Sequence, residues 1–242
     1  MPHHPGHYIT HPPLVADVGM VKALGRDVVG AVIMHAQYQE DSRKILSVSG
    51  ELIQWLDCVD SRPVVYLSLG SMVKESFSEH CVRVLLTSLC SSSSLKKWRV
   101  LTTVQRGTVE RAVAPDCLTD GSVFCVGWCP QFAILEHANV RAFISHCGAN
   151  SVHEALYHRV PIVACPFFDD QRYNGPRLAE LNCAVSSLKK DSVTASQVVE
   201  SVEVALGLRD VDRYNEVQRQ LGLHSDMIRE CDALGVLVGE AE

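Results

Sequence analysis

The apolar run from Val140 to Ser145 is followed at once by His146, Cys147, Gly148, Ala149, Asn150 and Ser151. If that run is a strand and the next residues open a helix, unpaired backbone N–H groups and the helix dipole converge where an anion is stabilised. Gly148 lets the backbone come close, and His146, Asn150 and Ser151 add donors, so a diphosphate is the natural guest. Taken alone, Ser151-x-x-Glu154 reads better as a capping box, with Asn150 or Ser151 closing the helix N-terminus. Three more clusters follow apolar runs in the same way: Gly70-Ser71, Gly127-Trp128, and Pro166 to Gln171. The Trp128 indole could stack on a flat base or be partly buried packing. Asp169, Asp170 and Gln171 offer acceptors for sugar hydroxyls, or form a solvated acidic turn.

These clusters meet only if the runs before them lie side by side and point the same way. β-rich runs over residues 63–69, 98–104, 123–126, 141–145, 161–165 and 184–188 predict such strands. Helices are expected between them, over residues 132–136, 151–157 and 174–181. Ser76-x-x-Glu79 predicts a capped helix carrying the stripe Cys81, Val82, Leu85, Leu86 and Leu89, and Thr194-x-x-Gln197 another running to Leu206. A polar helix is expected over about 211–231, a short one over 45–56, and a buried strand over 27–33. Alternating strands and helices imply an α/β fold, a doubly wound parallel sheet of Rossmann-like type, because right-handed crossovers put helices on both faces. In such a sheet a ligand lies outside the carboxyl ends of the strands, where the four clusters stand. The expected division is a poorly defined segment or linker over 1–45, a binding domain over 46–210 and a helical tail over 211–242.

Composition narrows the partners. With 242 residues, 47% apolar and 21% charged, the chain can bury a substantial core. A net charge of -6 with scattered Lys and Arg argues against nucleic acid or an anionic membrane. No apolar run approaches the roughly 20 residues of a transmembrane helix, and the N-terminus lacks a signal-peptide pattern, so a cytoplasmic location is expected. The 10 cysteines sit singly in apolar runs, and buried thiols explain most of them. Cys125, Cys129, His146 and Cys147 do not make a zinc site, lacking a C-x-x-C pair, and no metal is expected. No G-x-G-x-x-G or P-loop is present. Asp210-Val211-Asp212 matches a metal-binding D-x-D by letter, but it stands at a helix start, where aspartates cap.

Trp128 to Gln171 is similar over its full span, without a gap, to the signature segment of family 1 UDP-dependent glycosyltransferases. The residues carrying the likeness are Trp128, Pro130-Gln131, Leu135, His137, Phe143, His146-Cys147-Gly148, Asn150-Ser151, Glu154, Val160-Pro161, Pro166 and Asp170-Gln171. It extends outward to Trp55-Leu56-Asp57 and residues 62–71, and onward to about Leu206. The resemblance implies the C-terminal, donor-binding half of a GT-B enzyme, which transfers a hexosyl group from a UDP-sugar to an acceptor hydroxyl with inversion. It implies that Trp128 stacks on uracil, that the Cys129 backbone meets the base edge, and that Gln131 and Glu154 hold ribose hydroxyls. His146, Asn150, Ser151 and Ser71, with the close approach allowed by Gly148, would hold the diphosphate, and Asp170 and Gln171 the donor sugar. This reverses the capping-box reading of Glu154, which predicts neither Trp128 nor Asp170-Gln171. Ala149 and Arg159 depart from the family's usual Trp and Gly, so the sugar does not transfer.

The family's general base, a His assisted by an Asp, belongs to an acceptor-binding domain that about 60 residues ahead of the first donor-domain strand do not provide. His7 is therefore not assigned as base. The competing expectation is a UDP-sugar-binding subunit or catalytically incomplete fragment that works with a separate acceptor-domain partner on a small-molecule or lipid acceptor. No cofactor is expected beyond the UDP-sugar donor itself.

Overall fold

A computed structural model of the chain describes residues 36–58, 60–70 and 79–233. The histidine-rich N-terminus, the strand expected over 27–33, Ser71 and the Ser76 end of the capping box lie outside the described residues.

Six parallel strands form one sheet: β1 (Val64–Ser68), β2 (Arg99–Thr102), β3 (Val123–Cys125), β4 (Val140–Ser145), β5 (Ile162–Ala164) and β6 (Ala184–Ser187). Their order across the sheet is β3-β2-β1-β4-β5-β6, so the winding reverses between β1 and β4. That junction is where an open α/β sheet leaves a crevice. β1 is central and wholly buried, and it pairs with β4 from Val65 opposite Ala142 to Ser68 opposite Ser145. The two strands therefore end level, and the residues after them, Gly70 and His146, share one edge.

Alternation along the strands sorts side chains into two cores. Val64 and Tyr66 of β1, Phe143 of β4 and Ile162 of β5 face one layer; Val65, Leu67, Ile144 and Val163 face the other. The first layer is closed by α1 (Ala36–Val48), α2 (Gly50–Asp57), α7 (Gln131–Glu136), α8 (Ala149–Tyr157), α9 (Gln171–Glu180) and α11 (Val211–Ala233). The second is closed by α3 (Glu79–Leu89), α4 (Ser92–Leu95), α5 (Arg106–Ala112), α6 (Pro115–Thr119) and α10 (Ala195–Ala205). In α3 the expected stripe is buried, and α10 carries the expected capping box between Thr194 and Gln197. Asp210 caps α11, accepting from Arg213 N at 3.1 Å.

Two stretches differ from expectation. α5 and α6 fill the crossover from β2 to β3, which sequence periodicity leaves blank because helices of 7 and 5 residues are too short to show one. A parallel pair still requires a crossover of some kind. The helix expected from residue 45 begins at Ala36 and breaks at Ser49 into α1 and α2. α1 is polar, and the residues it buries are Gln39, Ser42 and Leu46. It is held to α7 by Arg43, whose guanidinium donates twice to Glu136 at 2.7 Å and lies over the Phe132 ring.

β2 opens with a fully buried arginine. Arg99 is 1% exposed, its Nη1 donating to the Trp55 carbonyl at 2.6 Å and its guanidinium stacked over the Trp55 ring at 4.5 Å. Asp60 lies 3.8 Å from it, held in turn by Arg62, whose guanidinium keeps the Asp60 carboxyl down at about 2. This knot fastens α2 to the sheet bottom, opposite the crevice.

Candidate functional site

At the crevice, β4 hands over to a sharp turn at Cys147, whose φ of +65 is in the left-handed region. The turn is fixed by Cys147 N donating to Ser145 Oγ at 3.0 Å and by Asn174 Nδ2 donating to the Cys147 carbonyl at 3.0 Å. α8 then begins with extended Gly148 as its N-cap, and no side chain caps it. The capping-box reading of Ser151 and Glu154 is thereby excluded: both lie inside the helix, two residues or more past its start. Its first turn faces the crevice with the donors and dipole that favour an anion.

His146 stands at the centre of this edge. A Cβ on Gly70 or on Gly148 would lie 2.6 Å from its Nε2, so the imidazole is wedged between two stretches of bare backbone. Gly70 also has a φ of +75, which side chains resist. His146 Nδ1 is buried without a hydrogen bond of normal geometry. Burial lowers the His146 pKa, opposed by the Asp170 carboxylate and the Ser68 backbone, so the ring is neutral at pH 7. An arriving anion would reverse that balance.

Beside it lies a closed polar network. Gln131, at the start of α7, donates from Nε2 to Ser151 Oγ at 2.9 Å and to Glu154 Oε2 at 2.5 Å. Tyr38 of α1 donates to Glu154 Oε1 at 2.7 Å. Tyr66 of β1, stacked on Phe143, places its hydroxyl 3.4 Å from both Gln131 Oε1 and Cys129 Sγ. Glu154 is 2% exposed. Burial raises its pKa, and the hydrogen bonds from Gln131 and Tyr38 oppose that rise. Burial pushes the Cys129 thiol up to about 11 and the Cys147 thiol to about 12, so neither is a nucleophile.

The rim is exposed. Trp128 presents 66% of its surface where the chain leaves β3, and Asn150 and Asp170 are exposed as well. Asp170 Oδ2 accepts from Asn174 Nδ2 at 3.0 Å. Asn174 thus ties the Cys147 turn to the start of α9. Gln171 is buried, and its Oε1 accepts from the backbone of Phe167 and Phe168 at 3.1 and 3.3 Å. Its amide oxygen therefore holds the Pro166–Asp170 loop, leaving its Nε2 for any ligand. Two open surface hollows, of about 410 Å³ beside β6 and about 190 Å³ under β4 and β5, lie away from this edge. Among the described residues no three His, Cys, Asp or Glu gather to hold a metal.

A sequence profile of the UDP-glucoronosyl and UDP-glucosyl transferase family matches residues 34–227. The chain belongs to this family. Among its UDP-glycosyltransferase relatives is an anthocyanidin 3-O-glucosyltransferase 6 of Manihot esculenta, 30% identical over 194 residues, covering 74% of this chain and 48% of that one. The chain spans less than half the length of the curated relatives it matches first. Among solved structures, Os79 from O. sativa in complex with U2F and trichothecene superposes with a TM-score of 0.72 at 22% identity, covering 94% of this chain and 52% of that one. Medicago truncatula UGT71G1 complexed with UDP-glucose gives 0.61 at 24%, covering 76% and 40%. These neighbours share the α/β fold of this glycosyltransferase half, and the segment matching the family includes every residue of the crevice edge.

Of the residues expected at the site, the structure brings together His146 and Gly148, then Gln131, Ser151 and Glu154, with Cys129 joined to them through Tyr66. The Asp170 carboxylate is near enough to oppose the lowering of the His146 pKa. Trp128 and Asn150 stand exposed on the rim, and Ser71 lies outside the described residues. Tyr38, Tyr66, Asn174 and Gly70 complete the site. Gly70 belongs to a strand-end cluster that the sequence marks by the glycine ending an apolar run; nothing in the sequence singles out the other three.

Proposed function

We propose that this crevice binds a UDP-sugar and presents it for transfer of the hexosyl group to an acceptor hydroxyl. Uracil stacks on Trp128 with its edge at the Cys129 backbone, and the ribose hydroxyls take Gln131 and Glu154. The diphosphate lies over the α8 N-terminus, against Gly148, with His146, Asn150, Ser151 and Ser71 as donors, and the sugar reaches Asp170 and Gln171. What carries the reading is His146 wedged between Gly70 and Gly148 beside an uncapped helix N-terminus at the winding reversal. In the transfer, an acceptor hydroxyl gives its proton to a base on the acceptor side, and its oxygen attacks the anomeric carbon as the bond from that carbon to the diphosphate breaks. Negative charge then grows on the leaving UDP, where the α8 N–H groups and His146 already point. The binding unit is taken as residues 46–210, with 1–45 as a leading segment and 211–242 as a helical tail.

A second reading is that the chain is a donor-binding subunit whose acceptor wall comes from another polypeptide. The exposure of Trp128, Asn150 and Asp170 favours it. No helix among the described residues is long and apolar enough to cross a membrane, and we place the chain in the cytoplasm.

Calorimetry with UDP tests the binding. Saturable binding is expected at or below about 1 mM, weakened by Trp128→Ala and by Glu154→Ala. No binding would overturn the reading; binding indifferent to both substitutions would move the site. Transfer and hydrolysis assays, with and without candidate partner chains, then separate an enzyme from a subunit.

A further inference from the structure

Among the described residues Glu154 has one partner on each oxygen, Tyr38 on Oε1 and Gln131 on Oε2. Gln131 belongs to the crevice edge. Tyr38 does not: it comes from α1, 116 residues away in sequence, which packs outside α7 with the Tyr38 ring edge-on to Phe132 at 6.1 Å. A carboxylate offers two lone pairs on each oxygen. Tyr38 and Gln131 take one apiece, which leaves one on each oxygen, the pattern that accepts the two hydroxyls of a vicinal diol.

Burial and the neighbouring carboxylate raise the Tyr38 pKa, so its phenol stays a donor and Glu154 stays the acceptor. The side chain is 37% exposed, yet its hydroxyl reaches a carboxylate that is 2% exposed. Reaching it from the surface takes a long, rigid side chain with a hydroxyl at its tip.

We propose that Tyr38 is a positioning residue for ribose recognition: its hydroxyl fixes the Glu154 carboxylate so that the remaining lone pair on each oxygen faces the 2′- and 3′-hydroxyls of the nucleotide. This rests on the assignment of the crevice to UDP-sugar. It adds to that assignment a helix outside the strand-end clusters, and it makes the discrimination of ribose from deoxyribose depend on α1.

The test is calorimetric binding of UDP and 2′-deoxy-UDP to the full chain, as wild type, Tyr38→Phe, Glu154→Gln and the double variant. Phenylalanine keeps the ring on Phe132, and a thermal midpoint near that of the wild type verifies that α1 stays in place. Wild type should favour UDP over 2′-deoxy-UDP by about tenfold or more, as for a hydrogen bond to a charged group. Tyr38→Phe should weaken UDP about tenfold and 2′-deoxy-UDP, which keeps the 3′-hydroxyl, only about threefold, so the preference falls about threefold. In the Glu154→Gln background the same substitution should have no further effect on the preference. An unchanged preference in Tyr38→Phe, or an equal loss for both nucleotides, would overturn the proposal and leave Tyr38 a purely structural contact. Tighter UDP binding by Tyr38→Phe would also overturn it, marking the tyrosine as a competitor of ribose. Failure of the wild type to bind UDP would instead remove the UDP-sugar assignment, and the proposal with it, an outcome visible before any variant is compared.

Discussion

Replacing Gly148 by alanine adds one methyl group at the narrowest point of the crevice. The Gly148 backbone, with φ −63 and ψ 148, suits any residue, so no strain arises in the main chain. Loss of glycine's freedom in the unfolded chain even favours alanine by about 0.4–1 kcal/mol. The methyl, however, would lie 2.6 Å from His146 Nε2, where ordinary contact begins at 3.4 Å. The ring must retreat by about 0.8 Å to relieve an overlap of this kind. Retreat toward Gly70 is limited, because it brings the ring onto bare backbone where a Cβ would already lie 2.6 Å from the same atom. If the ring stays, overpacking costs about 1–3 kcal/mol; if it turns out of the wedge, stability changes little and the anion site loses its imidazole. Urea unfolding and UDP calorimetry on wild type, Gly148→Ala, His146→Ala and the double variant separate these outcomes. The expected result is a net stability change between roughly zero and 2.5 kcal/mol, with UDP affinity about tenfold lower in Gly148→Ala, as in His146→Ala. The double variant should recover stability without recovering affinity. Wild-type UDP affinity in Gly148→Ala would refute the wedge argument, and wild-type affinity in both singles would remove His146 from the diphosphate site.

Arg159 holds a left-handed φ of +58 and pairs with Asp226; both Arg159→Gly and Arg159→Ala lose that exposed pair, so the glycine variant should be the more stable of the two by about 1 kcal/mol in urea unfolding. Arg99→Ala should cost about 1–3 kcal/mol, because it leaves the Trp55 carbonyl without its buried donor while Asp60 keeps Arg62, and the loss should appear in unfolding midpoint without altering the crevice. Because burial raises the Glu154 pKa, UDP affinity should fall with acidification at a higher pH than an ordinary carboxylate would give, and Glu154→Gln should abolish that limb. The same shift has a defined sign for stability: the folded chain holds the extra proton between the ordinary glutamate value and the raised one, so stability from this group falls as pH rises through that window.

The sheet was legible because each strand is a short apolar run cut off by glycine, proline or a polar cluster, and burial on both faces demands such runs. The strand-end rule then located His146, Gly148 and Asp170 before any packing was known. The helix start at Gly148 was less so: an extended glycine caps α8, and Asn150 and Ser151, residues that favour capping, lie in the first turn instead. Arg99 reads as the polar edge of a strand, and only the folded structure reveals that Trp55 stacks on it. Tyr38 is invisible for a different reason. Its helix buries Gln39, Ser42 and Leu46, which carry no apolar periodicity, and its hydrogen bond closes over 116 residues of sequence.

The crevice is graded from one end to the other. Glu154, Gln171 and Ser151 are buried and already hydrogen-bonded, while Trp128, Asn150 and Asp170 face solvent. Electrostatic and hydrogen-bond energies grow as water is excluded, so equal contacts are worth more at the buried end. On the proposed reading, ribose and diphosphate therefore supply most of the binding energy of the donor. Hydrogen bonds from sugar hydroxyls to Asp170 replace bonds to water almost one for one and contribute little net affinity. Recognition of the sugar, and stabilisation of the charge that develops as the anomeric bond breaks, both call for a wall that removes water from Asp170 and His146. On the proposed reading, closing this edge to water serves sugar selection and catalysis together, because the same exclusion of water strengthens both.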